Sequence, residues 1–264
     1  QPGRHPHWEF FEKRIARRAG HVICNEPNRS KEFARIYGLA QVPGVVRTAL
    51  PAAWPVPGRD SGLRKEMLKS IGLDPEGNFR LLLHHGPFSL ERCSPEIIRA
   101  LGILPEDYIL VFTGTDKSSP RYLQAREELA SAAVASRAIF LDYTSYGMAL
   151  QYAACCDAGL LLYPNDGIGN YHQAPGRLTE YLRCGLPLIA PFYPVFKDLV
   201  SNYHVGVTCD PLDPESIAGA IRTICEVPGE DLDRRRSRLR HIAETDLAYD
   251  AQAGVIENII RPLI

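Results

Sequence analysis

From Arg80 onward, short apolar runs alternate with amphipathic segments, the βαβα rhythm of a parallel sheet covered by helices on both faces. This pattern predicts strands at Phe79–His84, Tyr108–Thr113, Ala138–Leu141, Ala158–Tyr163, Pro187–Ala190 and Val205–Thr208. It predicts helices near Pro95–Leu104, Arg121–Ser136, Ser145–Cys156, Gly176–Cys184, Val195–Ser201 and Pro214–Cys225. The fold class expected is therefore α/β, a doubly wound Rossmann-like parallel sheet, which binds ligands outside the carboxyl ends of its strands. The loops gathered there are His84–Pro87, Gly114–Lys117, Asp142–Ser145 and Asn165–Ala174.

The first fifty residues read differently. A helical pattern rich in Arg and Lys (Trp8–Ala19), a brief strand (His21–Asn25) and a second helix (Pro27–Tyr37) are too little to build a core alone. Pro51, Pro55, Pro57 and Gly58 then interrupt regular structure and mark a linker. The closing segment, Asp231–Ile264, opens on a dense run of arginines and continues as a helix with Leu247, Val255, Ile259 and Ile260 as apolar positions. A solvated basic face accounts for Arg234, Arg235, Arg236, Arg238 and Arg240. Four parts are expected: residues 1–50, a linker and first helix at 51–78, the main domain at 79–230 and a closing helix at 231–264.

Length and charge narrow the function classes. At 264 residues the chain holds one large domain, or one domain plus a fragment, at a prior of about 150 residues per domain. A formal charge of −1 gives no general attraction to nucleic acid, so any anion must be held locally. The seven cysteines are scattered without a C-x-x-C or metal-ligand spacing, which suits free thiols in a reducing cytoplasm. No apolar run approaches the ~18 residues needed to cross a bilayer, and no signal-peptide pattern opens the chain. The sequence begins at Gln1 rather than Met, as a piece of a longer product would.

Several motifs are absent. There is no G-x-x-x-x-G-K-[ST] phosphate loop, no G-x-S-x-G elbow and no cluster with metal-ligand spacing. Gly167-Ile168-Gly169 starts like a dinucleotide fingerprint, but His172 stands where its third glycine belongs.

The stretch Tyr163–Ala190 carries the strongest chemistry. Pro175 and Gly176 break the loop, Arg177 opens the following helix, and Glu180 lies one turn on, near the same face. A helix N-terminus beside Arg177 would offer a diphosphate several donors, and Glu180 would accept from neighbouring sugar hydroxyls. The same two residues also suit an ordinary surface ion pair. His84 and His85 end a strand before Gly86-Pro87; at most one can turn toward a ligand, and both also suit backbone hydrogen bonds. Arg92 is placed to reach the same anion or to sit solvated at a helix start. Tyr143 is placed to stack on a nucleobase or to cap the core, whereas Ser145 is explained as a helix cap. The two glycines of the loop from Asn165 to Gln173 would let its backbone approach a phosphate.

Ala174–Ile189, A-P-G-R-L-T-E-Y-L-R-C-G-L-P-L-I, resembles the donor-binding half of group 1 glycosyltransferases with the GT-B fold. There a P-x-K-L-x-E-Y-x-x-x-G-x-P-V-I stretch places a cation at Arg177 and a ribose-holding carboxylate at Glu180. The resemblance is specific over about thirty residues and loose over about one hundred and fifty. It implies a GT-B C-terminal domain, with residues 1–50 a remnant of an N-terminal acceptor domain that is otherwise missing. The implied partner is a nucleotide-diphosphate sugar donor, with no metal and no other cofactor, and the reaction a sugar transfer with retained configuration. Arg177 and His172 are the implied catalytic positions; Glu180, Arg92, Gly86, His85, Tyr143 and Gly176 are the implied donor contacts. Where the family carries Glu-x7-Glu, this chain has His172 eight residues before Glu180, and a histidine supplies no fixed negative charge to an oxocarbenium-like centre. Cell-surface glycan or polysaccharide synthesis is the implied setting, and peripheral membrane association of the full-length protein is left open. A binding domain without catalysis and a sugar-nucleotide epimerase of the same fold are the alternatives.

Overall fold

The computed structural model describes residues 6–227 and 231–261, so boundaries drawn at residues 1, 230 and 264 lie outside the described residues. The opening comprises α1 (Pro6–Arg18), β1 (Ile23–Cys24), α2 (Pro27–Tyr37) and β2 (Gly44–Val45), and β1 and β2 form a two-stranded parallel sheet. After the irregular linker, α3 (Ser61–Lys69) starts where the Asp60 carboxylate accepts from the Gly62 and Leu63 N–H groups. The main domain then runs β3 (Arg80–His84), α4 (Ser94–Ile103), β4 (Tyr108–Phe112), α5 (Pro120–Ser131), β5 (Ala138–Phe140), α6 (Tyr146–Cys155) and β6 (Ala158–Leu160). It continues through α7 (Ile168–Tyr171), α8 (Arg177–Arg183), β7 (Leu188–Pro191), α9 (Pro194–Tyr203), β8 (Gly206–Cys209) and α10 (Pro214–Cys225). Two helices close the described chain, α11 (Leu232–Glu244) and α12 (Ala253–Ile260).

The six strands pair in parallel in the order β5-β4-β3-β6-β7-β8. Successive β3 side chains point to opposite faces, so Leu81 and Leu83 join one buried cluster while Leu82 joins the other. The first cluster takes in residues of α6, α8, α9 and α11, the second residues of α4, α5 and α10. Both faces are thus covered, as the sequence rhythm predicts. All seven cysteines are free thiols. Among the described residues no helix is long and apolar enough to cross a membrane.

Three features differ from the sequence reading. The closing segment is two helices rather than one, because the chain turns aside to meet the linker: Tyr249 N–H donates to Leu50 O at 3.1 Å and Ala52 N–H to the Asp250 carboxylate at 2.5 Å. The arginine run is not uniformly solvated. Arg236 is only 6% exposed and donates to the carbonyls of Ala154 and Cys156 at the end of α6, while Arg238 donates to those of Tyr203 and His204 after α9. These arginines join α11 to the carbonyl ends of neighbouring helices, where positive charge is favourable. Gly185, at φ +73°, lets α11 come close, since a side-chain carbon there would lie 2.9 Å from Arg236 Cβ. Finally, the loop expected from Asn165 to Gln173 contains the single turn of α7.

The opening residues pack on this domain. Asn28 of α2 donates to Asp198 of α9 at 3.3 Å, and β2 lies against α12, with Gly44 beside Ile259. Buried Arg183 of α8 donates to the carbonyls of Pro51, Ala52 and Trp54, which fixes the linker to the helix that carries Arg177 and Glu180.

Candidate functional site

The sheet order reverses between β3 and β6, where crossovers depart to opposite faces and leave a crevice beyond the carboxyl ends of the strands. The His84-His85-Gly86 loop leaves β3 at this crevice, and α8 follows β6 beside it. A cavity of about 570 Å³ opens there, lined by Arg92, Arg177, Gly176, Tyr163, Glu91, Asp166, Asn170 and Gln173, among others.

Two guanidinium groups converge at its wall. Arg92 Nη1 donates to His85 O at 2.5 Å, and Arg177 Nη1 donates to the same oxygen at 3.2 Å. Neither arginine has a carboxylate within ion-pair distance among the described residues. Burial, and then the charge of Arg177, push the Arg92 pKa down. Two cations sharing one acceptor repel by a few kcal/mol at an effective dielectric near 20, which a bound anion would offset.

Gly86 makes this approach feasible. Its φ of +107° suits glycine, its N–H donates to Thr113 Oγ1 at 3.0 Å, and any side-chain carbon would overlap Arg92 Nη1. His84 supports the loop from beneath: Nε2 lies 2.9 Å from Ser94 Oγ and Nδ1 3.3 Å from Gly86 O. Burial first, then Arg92, lowers its pKa to about 4. His85 offers the crevice its carbonyl, while its ring lies 6.4 Å from that of Tyr181. Burial, followed by Arg177 and Arg92, lowers its pKa to about 3, so both histidines are neutral at pH 7.

α8 is only seven residues long, and its first turn uses most of its own donors. Leu178 N–H donates to Pro175 O, and those of Thr179 and Glu180 donate to Gly176 O. Of the N–H groups expected to face an anion, those of Gly176 and Arg177 have no backbone acceptor among the described residues. The positive charge at the crevice thus comes mainly from the arginines, with Glu91 and Asp166 of the same lining opposing it. Gly176 itself is covered by Thr48, whose Cγ2 would lie 3.0 Å from a side-chain carbon placed there.

Glu180 is half-buried and accepts from Tyr146 Oη at 3.0 Å. Burial raises its pKa, opposed by the Tyr146 hydrogen bond and by the charge of Arg177. Tyr143 is 76% exposed, with its ring against Gly114 at the end of β4. His172 is not among the residues lining the cavity. Its ring packs edge-on to Tyr171 at 4.9 Å with Nδ1 buried and unpaired, and after the Arg35 hydrogen bond it is one of the groups that lower the Glu32 pKa in α2. The structure therefore brings Arg92, Arg177, Gly86, Gly176 and the His85 carbonyl together. Glu180 stands one turn along α8, and Glu180, Tyr143 and His172 all lie outside the cavity lining.

Residues that sequence reasoning did not single out complete the wall. Asn170 of α7 donates to Asp166 at 2.8 Å, and Gln173 presents a buried Oε1 without a partner. The glycine-containing loop gave the region away, but not these side chains. Tyr146, next to the capping Ser145, carries no local signal that would mark it in the sequence.

No protein-family profile and no curated protein matches this sequence. Solved structures do match in fold. HepE from Anabaena, crystallised with UDP and glucose, superposes with a TM-score of 0.74 at 18% identity, over 97% of this chain and 66% of its own. Sucrose-phosphate synthase from Thermosynechococcus elongatus gives 0.70 at 16% identity over 99% of this chain and 64% of its own. WaaG, a glycosyltransferase involved in lipopolysaccharide biosynthesis, gives 0.69 at 18% identity over 97% of this chain and 68% of its own. The chain spans about two thirds of the length of each of these structures. Its fold is that of the corresponding part of these GT-B glycosyltransferases.

Proposed function

We propose that this chain is the donor-binding part of a glycosyltransferase that moves a sugar from a nucleoside diphosphate to an acceptor hydroxyl. The observation that carries this reading is the meeting of Arg92 and Arg177, without a carboxylate partner, at the switch point of a GT-B fold. HepE was crystallised with UDP and glucose and with UDP-glucose, which makes a uridine diphosphate sugar the first donor to try.

In the reaction the bond from the sugar's anomeric carbon to the diphosphate oxygen breaks, and a bond to the acceptor oxygen forms. The acceptor's proton passes to the departing diphosphate or to solvent. Negative charge builds on that diphosphate, and Arg92 and Arg177 stand where they would stabilise it. In this reading the two guanidinium groups supply the positive charge without a bound metal. Glu180 holds the ribose, Tyr143 lies under the nucleobase, and the other side of the cleft belongs to an acceptor domain. Retention of configuration, a hexosyl donor and a cytoplasmic setting follow from the family resemblance alone.

His172 supports a second reading, a nucleotide-sugar binder without turnover. It stands where the family's first glutamate would be and supplies no fixed negative charge there. Incubating UDP-glucose with the full-length protein and following release of UDP separates the two. Release that falls at least tenfold with Arg177→Ala supports the transferase. Tight binding without release supports the binder, and an Arg177→Ala variant with unchanged turnover removes this residue from the site.

A further inference from the structure

Resting on the donor reading, we infer that Tyr146 is a positioning residue for ribose recognition, fixing Glu180 so that its second carboxylate oxygen is left for the sugar hydroxyls of a nucleoside diphosphate. Tyr146 is the first residue of α6, a different element from the α8 that carries Glu180, and its hydroxyl donates to Glu180 Oε1 at 3.0 Å. An ionised carboxylate offers acceptor sites on both oxygens, so one satisfied by a tyrosine leaves the other for a ligand.

The carboxylate needs such a partner. Glu180 is half-buried, no arginine or lysine lies within ion-pair distance among the described residues, and burial disfavours its charged form. The tyrosine hydrogen bond favours the charged form and restricts rotation of the carboxylate. Tyr146 is held in its turn: the Trp54 ring packs edge-on at 6.3 Å between centroids, and the Trp54 carbonyl accepts from Arg183 of α8 itself. Tyr146, Trp54 and Arg183 thus close a loop of contacts around the helix turn bearing Glu180, and such support keeps a binding group in one rotamer. At 43% exposure Tyr146 is not a core residue whose loss would unfold the domain.

The test compares UDP with 2′,3′-dideoxy-UDP by calorimetry, with the GDP and ADP pairs measured alongside, on the unsubstituted protein and on Tyr146→Phe. The unsubstituted protein should prefer the ribose form by about tenfold or more, as expected for hydrogen bonds to a charged group. Tyr146→Phe keeps the ring and its Trp54 contact, and should reduce that preference to about threefold or less while leaving affinity for the dideoxy form and for inorganic diphosphate unchanged. A merely structural role would weaken all ligands together and keep the ratio. An unchanged ratio in Tyr146→Phe, or a uniform loss, overturns the inference while the donor reading stands. Failure of all three nucleotide pairs to bind the unsubstituted protein overturns the donor reading and this inference with it.

Discussion

Arg92 and Arg177 donate to a single acceptor, the carbonyl oxygen of His85, at 2.5 and 3.2 Å. One arises from the turn before α4, the other from the start of α8, and the glycine after His85 leaves room for Arg92. Such a pair is poised by the fold before any ligand arrives, so an anion entering the crevice meets charge already oriented, with little left to reorganise.

Gly86→Ala should disrupt this arrangement from the backbone. Its φ of +107° is unfavourable for alanine, and the added carbon, overlapping Arg92 Nη1, would push that guanidinium off the His85 carbonyl. We expect a loss of about 1 to 3 kcal/mol of stability from the strained backbone, together with at least tenfold weaker binding of inorganic diphosphate. Thermal unfolding and calorimetry on the same variant check both; diphosphate affinity equal to that of the unsubstituted protein would separate Arg92 from the site.

Acid should destabilise the fold through the two histidines at the end of β3. Their folded pKa values, lowered to about 4 and about 3, lie below the ordinary value of 6.5, so the unfolded chain takes up protons first as pH falls. Their contribution is complete above pH 6.5 and is lost as pH falls through the window down to about 4 and 3. The slope is at most about 1.4 kcal/mol per pH unit for each group. Melting temperature measured from pH 7.5 to 4.5 should fall, and the fall should lessen in His84→Gln; a flat profile would contradict this.

Arg236→Ala should cost about 2 to 4 kcal/mol, because it removes a buried guanidinium and leaves the Ala154 and Cys156 carbonyls without that donor. Arg234→Ala, at an exposed position of the same helix, should change stability by no more than about 0.5 kcal/mol. Denaturant unfolding of both variants tests the contrast, and equal effects would return the arginine run to a solvated role.

The sheet was legible because runs such as Leu81-Leu82-Leu83 and Ile109-Leu110-Val111 fit strands covered on both faces, and glycine or proline marks most of their ends. Arg177 and Glu180 were legible as neighbours because helical spacing fixes them locally. Their partners were not. That Arg92 reaches the same carbonyl as Arg177, or that Tyr146 reaches Glu180, depends on how two chain crossovers pack, which no local pattern encodes. The burial of Arg236 is hidden for a related reason. An arginine-rich helix looks solvated until its neighbour Gly185 is seen to admit it against the carbonyl end of α6. His172 fell at the family's catalytic spacing, yet spacing alone does not aim a side chain, and its ring packs against Tyr171 beside the cavity lining.

If Arg92 and Arg177 jointly hold the diphosphate of a nucleotide donor, a double-mutant cycle in UDP affinity will reveal it. Calorimetry on the unsubstituted protein, Arg92→Ala, Arg177→Ala and the double variant should show each single change weakening UDP by about tenfold or more. The double loss should differ from the sum of the two, because the guanidinium groups share one acceptor and would share one ligand. UDP, GDP and ADP affinities unaffected by either substitution would contradict the account.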